Sequence, residues 1–142
     1  MRALYDVTVE INREGVVSVD EKYLYIEDGD FLRFDLYRFG NSTSPRLDHA
    51  RPFKDVTVAM NNGVRVIIAN RNGISLTSKY DPKKRGVWRI PRNTRLPLGL
   101  CLVKDLRPNH EGHYMLAPSS NMPFAKFIGL LQELAMYCQK VN

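Results

Sequence analysis

Three residues have the types and settings that chemistry uses. Arg38 ends an alternating stretch in "LYRFG", Ser75 sits in "NGISLT" behind a glycine, and His113 heads a strand-like run in "NHEGHYMLAP". An arginine fork suits a pyrophosphate or ribose oxygen, because its planar donors bind two oxygens at once and it keeps its charge. A small hydroxyl nearby can orient such a fork by hydrogen bonding. Taken singly, each residue better fits a plain structural role: a solvated edge arginine, a strand serine and a turn histidine. His49, His110 and His113 lack zinc spacing. The sequence has no Gly-rich phosphate loop, no nucleophile elbow and no paired carboxylates on a helix face.

The elements that must position these residues are mostly strands. "LYDVTVEI" and "EKYLYIED" alternate around the turn signal "NREG" and read as a hairpin within residues 1–30. "FLRFDLYRF" reads as the next strand, with Tyr37 and Phe39 holding it against the core on the face opposite Arg38, and Gly40 turning the chain away. "VTVAM" and "VRVIIA" flank "NNG", a hairpin signal because asparagine and glycine tolerate positive φ. "ISLTS", "GVWRIP", "LGLCLVKD" and "HYMLAP" add four further strands. One helix is expected, from Asn121 as N-cap, with Phe124, Phe127, Ile128, Leu131, Leu134, Ala135 and Cys138 on one face and Gly129 off it. The fold class is α+β, β-rich, with a C-terminal packing helix.

The chain has 142 residues, of which 44% are apolar and 25% charged, which suits a single globular domain with a real core. No apolar run approaches the roughly eighteen residues of a membrane span, and "MRALYDVTVEIN" lacks a secretory signal pattern, so a soluble protein made in the cytoplasm is expected. Cys101 and Cys138 sit where buried hydrophobes sit and read as reduced core thiols. The net charge of +6 hides an asymmetry: residues 1–30 hold eight acids and three bases, or −5, leaving +11 for the rest. The densest basic stretch, "KYDPKKRGVWRIPRNTR", gathers Lys79, Lys83, Lys84, Arg85, Arg89, Arg92 and Arg95 around Trp88. It is either a solvated loop or an electropositive rim that attracts a polyanion. In a nucleic-acid-binding module, its bases would meet phosphates and Trp88 would stack a base.

The order of the motifs carries more than any one of them. Aromatic-Arg ending an early strand, then "GISLT", then a polar residue heading "HYMLAP", resembles the mono-ADP-ribosyltransferase superfamily. With "IPRNTRLPLGLCLVKDL" and "MPFAKFIGLLQEL", residues from about 31 to about 139 resemble the small type VI secretion effector toxins with a diminished ADP-ribosyltransferase-like fold. The resemblance implies a split sheet in a toxin domain of residues 31–142, with 1–30 as an added acidic hairpin. It makes Arg38 the anchor of the nicotinamide ribose and phosphate of NAD, the substrate, and Ser75 the brace of the cleft. Thr77, Tyr80 and Glu111 join as NAD contacts.

This chain departs from the superfamily at the third position, where most members place a glutamate. Here "HEGHYM" offers Glu111 before the strand and His113 at its head, which implies a slow enzyme or a changed acceptor. A neutral His113 is then required, since a second positive charge would oppose the one that develops as nicotinamide leaves. The resemblance further implies delivery by a secretion system, action in the cytoplasm of a target cell, and a cognate immunity protein. Against a basic cleft, that partner is expected to be acidic.

Overall fold

The computed structural model describes residues 25–141. The expected strand "LYDVTVEI" and its turn lie outside the described residues. The elements follow in the order β1 (Tyr25–Ile26), β2 (Leu36–Phe39), β3 (Thr57–Asn61), β4 (Val64–Ile68), β5 (Ile74–Thr77), β6 (Val87–Ile90), β7 (Leu100–Lys104), β8 (His113–Pro118), β9 (Met122–Pro123), α1 (Phe124–Ala135) and β10 (Gln139–Lys140). Seven strands form one sheet, ordered β1-β7-β8-β5-β2-β6-β10, and β3, β4 and β9 form a second in the order β3-β4-β9. Each ladder in both sheets is antiparallel. The fold is β-rich α+β, as the patterns suggest.

The ladders are unequal. β7 and β8 are joined by five residue pairs, from Leu100↔Pro118 to Lys104↔Tyr114. β5 and β8 share four pairs, as do β2 and β6. Between β2 and β5 there is a single pair, Tyr37↔Thr77. Past it the two strands part, so the larger sheet is split beside Phe39 and Ser75.

Alternation fixes which side chains enter the core. Leu36, Ile74, Leu76, Ile90, Leu102 and Leu116 are buried on one face of the larger sheet, under α1 and the smaller sheet. Fully burying an aliphatic side chain of this kind stabilises by about 1.5–3 kcal/mol. On the other face of β7 and β8, Cys101, Val103 and Ala117 form a smaller cluster with Tyr25, Leu106 and Met115. Both faces of β7 are therefore covered, which explains its unbroken apolar run.

The helix presents Phe127, Leu131 and Leu134 to the core, with Phe124, Ile128, Ala135 and Cys138 packed at its margins. Nothing lies near Gly129, on the outer side. The helix starts later than its sequence suggests: Met122 and Pro123 pair with Ile67 and Val66, and Pro123 takes the N-cap position. Asn121 instead accepts the Ala69 backbone N–H at 2.7 Å, tying the chain that enters β9 to the end of β4.

The "NNG" hairpin forms as read. Asn62 and Gly63 both have positive φ, 50° and 79°, the backbone that two-residue hairpin loops require. "FLRFDLYRF" is not continuous, since only Leu36–Phe39 is a strand. The Asp35 carboxylate accepts the Arg92 N–H at 2.7 Å, and Leu32 exchanges backbone bonds with Asn93 and Thr94, so Phe31–Asp35 wraps the turn after β6. Tyr25 and Ile26, grouped with the acidic hairpin by sequence, pair with Val103 and Leu102, and Ile26 lies in the core. β10, which pairs with β6, has no alternation to announce it.

Candidate active site at the split between two strands

The "LYRFG" segment ends where the split opens. Gly40 donates to the Gly86 carbonyl at 2.8 Å, and a Cβ on Gly40 would lie 2.2 Å from the Ser44 carbonyl oxygen. The loop after it can therefore fold tightly back over β2. Trp88, opposite Arg38 on β6, holds that loop by donating its indole N–H to the Asn41 carbonyl at 2.8 Å.

This folding brings the Arg46 carbonyl to the guanidinium. Arg38 Nη2 donates to Arg46 O at 2.9 Å, and Nη1 donates to Ser75 O at 3.1 Å. The fork thus bridges the strands where their own ladder stops. Its Nε is buried and has no partner among the described residues. Burial pulls the Arg38 pKa below its ordinary value; Asp55 opposes this, and Arg46 and Arg51 reinforce it.

Three adjoining cavities share Ser75 in their linings. One of about 120 Å³ is bounded by Tyr37, Arg38, Ser75, Thr77 and His113. Another, of about 250 Å³, adds Arg46, His49, Arg51 and Asp55 to Arg38 and Ser75. The third, about 410 Å³, carries Lys54, Arg71, Lys104, Asp105, Arg107 and His113. Arg71 is a second guanidinium whose buried Nε has no partner among the described residues. The carboxylates here are already engaged. Burial would raise the Asp55 pKa, but hydrogen bonds from Arg51 outweigh it and the net shift is downward. The Arg107 fork holds Asp105 far below the usual carboxylate range, against the opposing effect of burial, and His113 adds to the lowering.

Of the residues singled out from sequence, Arg38, Ser75, Thr77 and His113 come together. Thr77 sits between Tyr37 and His113 in one row across three strands, and its Oγ1 accepts the Lys79 N–H at 3.1 Å. Ser75 differs from its expected bonding in one respect. Its backbone carbonyl, rather than its hydroxyl, meets Arg38, and the exposed hydroxyl has no partner among the described residues. Tyr80 lies at the margin, its ring 5.2 Å from that of Tyr37. Glu111 is exposed on the turn before β8 and lines none of these cavities. Phe39 does not hold the strand against the core: it is 47% exposed, with the Lys84 ammonium 4.9 Å from its ring centre. Asp105 is the site residue that sequence reading missed. Its one local sign is the Asp-x-Arg spacing of "DLR", which lets Asp105 accept the Arg107 N–H at 3.0 Å.

A larger cavity, about 700 Å³, lies at the other end of β6, between Phe31, Arg92, Leu98, Glu133 and Tyr137. It contains none of the candidate residues. The basic stretch is itself divided by β6, with Lys83–Arg85 near Phe39 and Arg92 and Arg95 beside this other cavity. Among the described residues no three His, Cys, Asp or Glu side chains gather as metal ligands would, and no helix is long and apolar enough to cross a membrane. Cys101 and Cys138 are free thiols, pushed up by burial to about 11 and about 12, so both stay protonated at neutral pH.

A split antiparallel sheet, an arginine fork at its open end and small hydroxyls on the opposing strand are the features of the ADP-ribosyltransferase-like class that the ordered motifs resemble. Residues 9–141 match the family model described as Tse2 ADP-ribosyltransferase toxin, and the chain belongs to that family. No curated protein matches it.

Proposed function

We propose that this toxin acts on NAD in the cytoplasm of a target cell, transferring ADP-ribose to a cellular acceptor or to water, and that a secretion system delivers it. The observation that carries the reading is the Arg38 fork fixed across the split, beside cavities lined by Ser75, Thr77 and His113. NAD carries a diphosphate. Arg38 and Arg71, which line cavities that meet at Ser75, place beside them the positive charge that such a group needs. Arg38 anchors the nicotinamide ribose and its phosphate, with Thr77 and Tyr80 beside it. His113 stands where the superfamily's glutamate would act, and Glu111 reaches the ligand only if its turn closes over the cleft.

The producing cell needs protection, and an acidic immunity protein seated on the cluster of Lys54, Arg71, Lys104 and Arg107 would give it. Complementary charge speeds such capture. The test is inducible expression in bacteria with cellular NAD and ADP-ribosylated products followed over time. Arrest with loss of NAD or appearance of modified products supports the reading, and so does harmless passage of the same chain to the periplasm. Equal toxicity in both compartments, with NAD and its products unchanged, would overturn it.

A further inference from the structure

His113 and Asp105 are bound to one another twice. The ring Nδ1 lies 2.7 Å from Asp105 Oδ2, and the Asp105 backbone N–H donates to the His113 carbonyl at 2.9 Å. The Asp105 side chain is 4% exposed. Arg107 grips it with Nε at 3.0 Å from Oδ1 and Nη2 at 2.6 Å from Oδ2. A carboxylate held ionised in this way can only accept, so the proton of the bond belongs to Nδ1. The neutral ring then carries its lone pair on Nε2, which has no partner among the described residues, and the side chain borders two of the cavities that meet at Ser75.

We infer that His113 is the general base of the site, taking on Nε2 the proton of the hydroxyl that attacks the ribose, and that Asp105 is the positioning residue that fixes the ring and its tautomer. This rests on the reading of the chain as an NAD-cleaving toxin. In the step, the acceptor oxygen bonds to C1′ of the nicotinamide ribose. The bond from C1′ to the nicotinamide nitrogen breaks, and its electron pair stays on that nitrogen. The acceptor's proton passes to Nε2 and later to solvent, with no oxidant or reductant needed. The order of events suits a site without the usual glutamate. The imidazole is neutral while positive charge grows on the sugar, and becomes cationic only as the acceptor oxygen cancels that charge.

The other charged or titratable groups around His113 are His110, its ring 6.1 Å away, Arg38 at the open end of the split, and Lys54, Asp55, Arg71, Lys104 and Arg107 on the shared cavity. None of them bonds Nε2.

The test uses the full chain, NAD and a nicotinamide-release assay across pH. His113→Gln should lower kcat by about 10²-fold, the common contribution of a positioned base, with KM changed far less, and should lose the rise of rate with pH that a general base gives. His113→Ala should recover part of the loss when imidazole is added. Asp105→Asn should also lower kcat and displace that rise, which a purely structural bond would not do. If Asp105→Asn fails to fold in thermal melts, imidazole rescue of His113→Ala decides the matter. Parent-like rate and pH profile in His113→Gln, or no response of His113→Ala to imidazole, overturns the base. Arg38→Ala separates the two readings: cleavage by the parent that is lost in Arg38→Ala but kept in the His113 variants removes only the base. No cleavage by the parent removes both.

Discussion

The β7–β8 ladder and the β2–β5 contact are parts of one sheet built to opposite specifications. The first has five residue pairs, with Leu100, Cys101, Leu102 and Val103 all buried. The second has one pair, and beyond it an arginine side chain spans the gap. Paired backbone satisfies its own hydrogen bonds and needs nothing from outside, so along its length it serves as frame, and His113 and Asp105 sit at its end. Where pairing stops, carbonyls and guanidinium donors become available to each other and to a ligand. The chemistry of this fold sits where its regularity fails, and the neighbouring ladders hold that failure in place.

Arg38 should give the largest effect. Arg38→Ala is expected to abolish toxicity at expression equal to the parent, and to lower NAD cleavage by more than about 10²-fold, the common cost of one preorganised group. Arg38→Lys should fail nearly as fully, because a point charge cannot meet Ser75 O, Arg46 O and a ligand together. The protein should stay folded in a thermal melt. Full toxicity in Arg38→Ala would make the split an accident of pairing.

On the frame side, Leu116→Ala should cost about 2–5 kcal/mol of stability in denaturant titrations, since Leu116 is fully buried on β8. The fraction that remains folded should keep its rate per molecule. A lowered rate in that fraction would show that frame and site are coupled more tightly than the ladder implies.

Acid should reveal the tie between them. The folded Asp105 carboxyl titrates below its unfolded value, so as pH falls the unfolded chain takes up the proton first. The stability that Asp105 contributes is thus complete above about pH 4 and drains away below it. Asp105→Asn should lower stability at neutral pH and flatten the loss on acidification, measured by chemical denaturation at several pH values.

Smaller effects should follow on the surface. Ser75→Ala should lower activity by less than about tenfold, because the carbonyl that meets Arg38 survives the change and the hydroxyl has no partner among the described residues to lose. Replacing Lys83, Lys84 and Arg85 with glutamine should leave stability within about 0.5 kcal/mol, as exposed substitutions do, and weaken capture by an acidic partner. A collapse in thermal melts would show that these charges support the loop near Phe39.

The frame was more legible in the sequence than the site. Alternation in "GISLT" and "HYMLAP", the apolar run of "LGLCLVKD", the "NNG" turn and the apolar stripe from Phe124 to Leu134 are local signals, and each element formed close to its reading. The helix start was hidden because Met122 and Pro123 are claimed by β4, a partner more than fifty residues earlier in the chain. β1 and β10 are two-residue strands set by their neighbours. The split could not be read from alternation, since β2 and β5 each look like ordinary strands and only their register shows how soon they part. Asp105 was hidden for a related reason: its meaning lies in His113, eight residues away across a turn, where Asn109 and Gly112 take positive φ.

The single pair between β2 and β5 also has a consequence in time. Local opening follows the weakest contiguous set of contacts, so the two halves of the larger sheet should breathe about Tyr37 and Thr77 well before β7 and β8 separate. Amides flanking the split should exchange with solvent sooner than those of the long ladder. A bound dinucleotide that fastens both sides would slow that exchange, and its footprint in hydrogen exchange would trace the cleft without any turnover.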